Sequence, residues 1–253
     1  KGQYDKAIED YDKAIALNPN DAKTYIGRGG AYTNKRQYYR AIEDFNKAIA
    51  LNPNNSSAYA GRGTAYNMQR QHDTAIEDYN KAIALSIALY PKTERSLLPY
   101  LESMISAVYF LRGGAYNDKG HYDRAIEDYN KAIQLEPNDY GAYFGLGLAY
   151  KNKGQYDEAI ENYNKAIDLD SNNAAAYRDR GDVYYYKGQY DRAIEDYNKA
   201  IALDPNDASA YTNRGVAYTL KGNMGRAISD FQKACDMGNE DGCEGLKMVL
   251  EKR

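Results

Sequence analysis

The nine residues AIEDYNKAI at positions 193–201 decide the fold, because the chain keeps returning to them. The same string stands at 75–83 and 125–133, and close variants begin at Ala7, Ala41, Ala159 and Ala227. Neighbouring copies are 34 residues apart, except for a step of 50 between Ala75 and Ala125. A fixed period of this length is the signature of tandem supersecondary units. Working outward, full units run 22–55, 56–89, 106–139, 140–173, 174–207 and 208–241. Residues 1–21 are a half repeat, 90–105 an insertion and 242–253 a tail. Each unit predicts two helices. In 174–207, Tyr177, Gly181 and Tyr184 keep helical spacing, and so do Tyr190, Ala193, Tyr197 and Ala200. Gly188 falls between them, where a left-handed residue ends a helix. In Asp204-Pro205-Asn206-Asp207 the proline stops the second helix and Asp207 is set to cap the next. The unit is an αα-hairpin in tandem.

Composition narrows the function. Of 253 residues, 33 are basic and 36 acidic, a net charge of −3, which lacks the basic footprint of a nucleic-acid binder. No run approaches the length of a membrane span. Mean hydropathy is −0.81, yet 28 tyrosines are more aromatic content than a disordered chain carries. Lys1 falls inside a repeat, so the sequence reads as continuing upstream, and the charged end Glu251-Lys252-Arg253 reads as close to a natural C-terminus. Any signal peptide, anchor or compartment is not legible. The segment reads as soluble, in the cytoplasm or the periplasm and cell envelope.

The unit resembles a tetratricopeptide repeat. In 140–173 the marks of that family are Tyr143, Leu146-Gly147 and Tyr150 in the first helix, then Ala159, Tyr163 and Ala166 in the second, with Ser171 where the family has proline. The resemblance covers nearly everything outside the insertion and tail. It implies an all-α, right-handed superhelical solenoid of antiparallel hairpins, with residues 242–253 as a C-terminal capping helix. It also implies a non-enzymatic module that binds a protein or peptide in a concave groove lined by first helices. Near-identity of the repeats suggests recent duplication and a bacterial source.

Counting places within the 34-residue unit, places four and eleven are always tyrosine, and two places in the second helix mostly are. These account for 22 of the 28 tyrosines and read as rings packed between helices. Tyr39, Tyr90, Tyr100, Tyr140, Tyr185 and Tyr186 lie outside the pattern. Place seven departs from the family's leucine: it is Arg28, Arg62, Arg112, Arg180 or Arg214, and place twenty-three of the same units is Asp44, Asp78, Asp128, Asp196 or Asp230. In 140–173 the two places are Leu146 and Asn162, so both charges vanish together. This predicts an Arg–Asp pair inside each unit rather than with the preceding one. Glu195 and Lys199 read as an i,i+4 pair on a solvated face.

No catalytic motif emerges, and no metal or cofactor is expected. His72 substitutes for a patterned tyrosine and His121 sits at a turn; neither has a ligand-like neighbour. Cys235 and Cys243 resemble the cysteines of Sel1-like repeats, which can staple neighbouring helices. The resemblance implies a disulfide in an oxidising compartment; the plainer reading is two small buried hydrophobes.

Places five, nine and twelve of the first helix share a face. The residues expected to meet a partner there are Ile26, Asn67, Phe110, Asn117, Phe144, Leu148, Lys151, Arg178, Asp182 and Tyr185. Alternatively these side chains pack on neighbouring first helices. Some family members clamp C-terminal carboxylates with Lys, Asn and Arg. Here those places hold residues such as Ile26, Gly30, Gly61, Ala107 and Leu111, so that ligand is not expected. In the insertion, Pro91 ends a prolonged helix and Pro99 starts another. Leu97, Leu98, Tyr100 and Leu101 form a second candidate interface, which either fills the stack or contacts a partner or a second copy. Two further functional readings stand beside the groove: a scaffold assembling with copies of itself, and the interaction arm of a larger protein whose other domain lies upstream.

Overall fold

The computed structural model describes residues 2–251. Lys1 of the half repeat and Lys252 and Arg253 of the tail lie outside the described residues. Fourteen α-helices, and no strand among the described residues, form hairpins. The half repeat is α1 (Gly2–Leu17). The pairs are α2 (Ala22–Asn34) with α3 (Tyr38–Leu51), and α4 (Ser56–Met68) with α5 (His72–Ile87). Next come α6 (Leu98–Asp118) with α7 (Tyr122–Leu135), and α8 (Tyr140–Lys153) with α9 (Tyr156–Leu169). Last are α10 (Ala174–Tyr186) with α11 (Tyr190–Leu203), α12 (Ala208–Leu220) with α13 (Met224–Asp236), and the single α14 (Glu240–Glu251). The chain divides into two compact units, Lys1–Pro137 and Asn138–Arg253.

The punctuation works as the residues dictate. First helices are capped by side chains that satisfy free N–H groups: Asp207 accepts from the Ala210 amide at 3.1 Å and Asn173 from the Ala176 amide at 3.2 Å. Between the two helices of a hairpin, Gly188 adopts φ +71°, and the Gln189 amide donates back to the Tyr184 carbonyl at 2.9 Å. Arg36 and Arg70 hold the same place at φ 59° and 61°, a conformation that costs a side-chain-bearing residue about 1–2 kcal/mol.

Hairpins close on one contact. The place-twenty-four ring of the second helix lies over the place-eight glycine of the first. A Cβ on Gly181 would stand 2.8 Å from Tyr197, and one on Gly147 would stand 2.9 Å from Tyr163. These rings, Phe45, Tyr79, Tyr129, Tyr163, Tyr197 and Phe231, are all buried. The tyrosines at places four and eleven are mostly only half-buried, because they flank a charged group described below. In the first unit α3 packs on α4 and α5 on α6; in the second, α9 packs on α10 and α11 on α12.

The insertion lengthens its neighbours, with Pro99 starting a helix as expected, while Pro91 lies in a 3-10 turn after the preceding helix has already ended. α5 runs to Ile87, two short 3-10 turns cover Tyr90–Lys92 and Arg95–Leu97, and α6 begins at Leu98 with Pro99 in its first turn. The candidate second interface splits. Leu101 is 5% exposed and fills the stack, a correction to its reading as an interface residue. Leu98 is half-buried, while Leu97 at 54% and Tyr100 at 70% remain exposed. At the far end α14 covers α12 and α13, seating Val249 and Leu246 against Phe231.

Candidate functional site

Each place-seven arginine is held from three directions. Arg180 donates from Nε and Nη2 to the two oxygens of Asp196, both at 2.7 Å, and from Nη1 to Asn164 of the preceding repeat at 2.5 Å. Its guanidinium sits 5.5 Å from the Tyr177 ring and 6.0 Å from the Tyr184 ring. Arg28, Arg62, Arg112 and Arg214 repeat the bidentate pair with Asp44, Asp78, Asp128 and Asp230. The same-unit pairing is therefore found. The further bond to the preceding repeat, to Asp12, Asn46, Asn80, Asn164 or Asn198, was not legible in the charge pattern, because the acceptor is mostly a neutral asparagine. Burial pulls the Arg180 pKa down, but the bonds and charge of Asp196 outweigh it and the net shift is upward. These groups are structural ties, fully engaged.

A second tie also escaped sequence reading. Lys35, Lys119, Lys187 and Lys221 each pair with an aspartate of the preceding repeat: Asp5, Asp73, Asp157 and Asp191. The expected Glu195–Lys199 pair is not among the ion pairs of the described residues; these four lysines, at the ends of first helices, reach across repeats instead. Cys235 and Cys243 are drawn together as a disulfide between α13 and α14, Cα–Cα 4.5 Å.

The first-helix face can now be followed within each unit. In residues 1–137, Ile26 is half-buried against the Tyr25 and Phe45 clusters. Asn67 Oδ1 contacts His72 Nδ1 at 2.7 Å, and Phe110 leans on Tyr129 at 5.8 Å between centroids. Asn117, expected on the partner face, is 8% exposed and belongs to the packing, a correction to its reading as a partner residue.

In residues 138–253 the face is richer. Phe144 leans on Tyr163 at 5.6 Å, and Leu148 stands half-buried beside it on α8. Lys151 donates to Asp179 at 2.7 Å and lies 3.7 Å from Asp182. Arg178 donates to Asp207 at 2.8 Å. Asp182 Oδ1 accepts from the Tyr197 hydroxyl at 2.9 Å and from Asn213 Nδ2 at 2.8 Å. Burial pushes the Asp182 carboxyl above its ordinary pKa; Lys151 opposes this and Asp179 adds to it. Burial, reinforced by the Asp182 charge, pushes the Tyr197 hydroxyl up as well. A pocket of about 220 Å³ opens here, lined by Asp182, Tyr185, Tyr186, Tyr197, Asn213 and Val216. Lys151, Arg178, Asp182 and Tyr185 are thus brought into one network. Asp179, Tyr186 and Asn213 were missed. Their signal was a departure from the repeat: place six is glycine or leucine until it becomes Asp179 and Asn213.

Among the described residues, no helix is long and apolar enough to cross a membrane, and no group of three or more His, Cys, Asp or Glu is placed to hold a metal.

Stacked αα-hairpins of 34 residues, closed by ring on glycine and, within each unit, sharing a first-helix face, define the helical-repeat class of interaction proteins. Family comparison is specific: the TPR repeat model matches residues 1–35, 113–154, 151–185 and 181–222, and tetratricopeptide repeat models match 22–55, 45–77 and 208–238. The chain belongs to the tetratricopeptide repeat family. Residues 78–112, which include the insertion, and residues 239–253 lie outside these matches. Comparison with curated proteins finds no match. Among solved structures, the APC/C hetero-tetramer Cut9–Hcn1 aligns at TM-score 0.78 and 22% identity, over 98% of this chain and 46% of that one. The chain thus spans less than half of that relative. PilF of Pseudomonas aeruginosa aligns at TM-score 0.72 and 18% identity over 100% of both chains. YrrB, described as a TPR protein with an unusual peptide-binding site, aligns at TM-score 0.56 and 25% identity, over 79% of this chain and 95% of that one. Family membership, with the likeness to YrrB, supports a protein-interaction scaffold; the other two likenesses show the fold.

Proposed function

We propose that the first-helix face binds a peptide or helical segment of a partner protein. The supporting observation is where the repeats stop being alike. Residues that close and tie the hairpins recur nearly unchanged, while the first-helix face varies from repeat to repeat and carries half-exposed aromatics such as Phe110 and Phe144. Apolar and aromatic side chains left part-open on a rigid frame are the material of a binding surface. The chemistry requires only contact, with no catalytic group. The test selects displayed peptides on the wild-type chain and measures their affinity for Phe144→Ala and, separately, for Phe110→Ala; loss in either supports the reading. The reading predicts a loss of about tenfold or more; unchanged affinity for both overturns it.

A second reading, self-association, is favoured by the insertion and the helix end before it, where Leu97, Tyr100, Ile87 and Leu89 are all exposed. It predicts a dimer by light scattering that Leu97→Asp converts to a monomer. A monomeric wild type rejects it. For the Cys235–Cys243 bridge, an oxidising compartment is implied, and two free thiols in the denatured, unreduced protein purified from its source contradict it.

A further inference from the structure

We propose that the pocket between α10, α11 and α12 receives a cationic side chain, lysine or arginine, from the bound peptide. This rests on the peptide-binding reading of the first-helix face and names what that face recognises.

The pocket's own lining sets the chemistry. Its single charged member is the Asp182 carboxylate, and three of the remaining five residues are tyrosines. A carboxylate backed by aromatic rings recognises a cation: the charge attracts it, and each ring face adds a quadrupole contact within about 6 Å of its centroid. Tyr185 and Tyr186 are held ready. Their rings meet at 5.6 Å and 70°, and Tyr186 also stacks on Tyr156 at 5.8 Å and 13° while remaining 60% exposed.

The surrounding charges leave Asp182 under-compensated. Three carboxylates, Asp179, Asp182 and Asp207, share two cations, Lys151 and Arg178, an excess of one negative charge. Lys151 makes its close contact with Asp179 at 2.7 Å and Arg178 with Asp207 at 2.8 Å, which leaves Asp182 only the 3.7 Å approach of Lys151. Oδ1 already accepts two hydrogen bonds, so a visitor would meet Oδ2, which has only the 3.7 Å approach of Lys151. Burial is the main cause of the upward shift of this carboxyl, and Lys151 opposes it only in part.

Size agrees with a single side chain. At about 220 Å³ the pocket is smaller than the roughly 300–1,000 Å³ of a drug-sized ligand site; it suits one side chain. The repeat pattern also singles it out. Place nine is acidic and places twelve and thirteen are aromatic only in 174–207. Packing does not demand these residues, since the other repeats close without them.

The experiment titrates the isotope-labelled chain with N-acetyl-arginine methylamide, the lysine analogue and the citrulline analogue, which keeps the arginine shape without its charge. Arginine and lysine should shift the amides of Asp182, Tyr185, Tyr186 and Asn213 saturably, with citrulline about tenfold weaker or worse. Asp182→Asn, which can retain both hydrogen bonds to Oδ1, and Tyr185→Leu should each weaken cation binding several-fold, with circular dichroism unchanged. No saturable shift, equal binding of citrulline, or Asp182→Asn binding as wild type overturns the proposal. Peptides selected on the wild type separate the two ideas. Loss with Phe144→Ala but not with Asp182→Asn keeps the face and rejects the pocket. Retention in both rejects both.

Discussion

Repeats 140–173 and 174–207 form the same hairpin with opposite chemistry at one interface. In 174–207 the half-buried Arg180 grips Asp196 and reaches back to Asn164. In 140–173 the equivalent places are Leu146, buried in the packing, and Asn162, which donates to the Glu158 carbonyl of its own helix at 2.8 Å. Both hairpins nonetheless close with a tyrosine ring over a glycine. The ring-on-glycine contact therefore makes the hairpin. The arginine is an added tie that fixes how the second helix and the preceding repeat meet, and an apolar residue replaces it if both charges leave together. This agrees with the general behaviour of buried pairs, where desolvation offsets much of the attraction but a lone survivor is costly.

Removing one partner gives the largest expected effect. Asp196→Ala strands Arg180, whose side chain is 17% exposed, and should cost about 3 kcal/mol in denaturant unfolding. Asn162→Ala should cost far less, and equal losses break the comparison. Next comes the shared contact. Gly181→Ala and Gly147→Ala should each cost about 2 kcal/mol, alike in both repeats, because each methyl presses on a buried ring. A loss confined to 174–207 contradicts the shared closure. Smaller still, Arg180→Leu with Asp196→Asn rebuilds the 140–173 interface and should fall within about 1 kcal/mol of wild type. A double-mutant cycle on Arg180 and Asp196 without coupling removes the tie altogether.

The smallest effect is a pH effect. The Asp182 carboxyl has a raised folded-state pKa, so the native state binds its proton more tightly than the unfolded chain does. Stability from this group is present below the ordinary value of 3.8 and is lost as pH rises through the folded value. Asp182→Asn should therefore melt higher than wild type at neutral pH, and the advantage should shrink as pH falls toward 3.8. A constant difference across that range contradicts the buried-charge account.

Repetition made the fold legible. Six copies of the pattern located hairpins, caps and the left-handed turn, and the joint loss of charge at Leu146 and Asn162 exposed the arginine pairing. The inter-repeat ties were harder, because Asn164 and Asp157 look like ordinary surface residues until the stack brings Arg180 and Lys187 to them. The face was legible by helical spacing, but which of its residues turn inward was not, as the buried Asn117 shows: its place-twelve counterpart Asn67 is only half-buried. The pocket residues Asp179, Tyr186 and Asn213 were visible only as departures from the repeat, and a departure gives no direction until neighbouring helices are in place.

The most direct test of the central claim is hydrogen exchange on the chain with and without a peptide selected against it. Protection should appear on the first helices α8, α10 and α12, centred on Phe144, Asp182 and Tyr185. Protection confined to α9, α11 and α13, or to residues 90–105, would contradict the assignment of the first-helix face as the working surface.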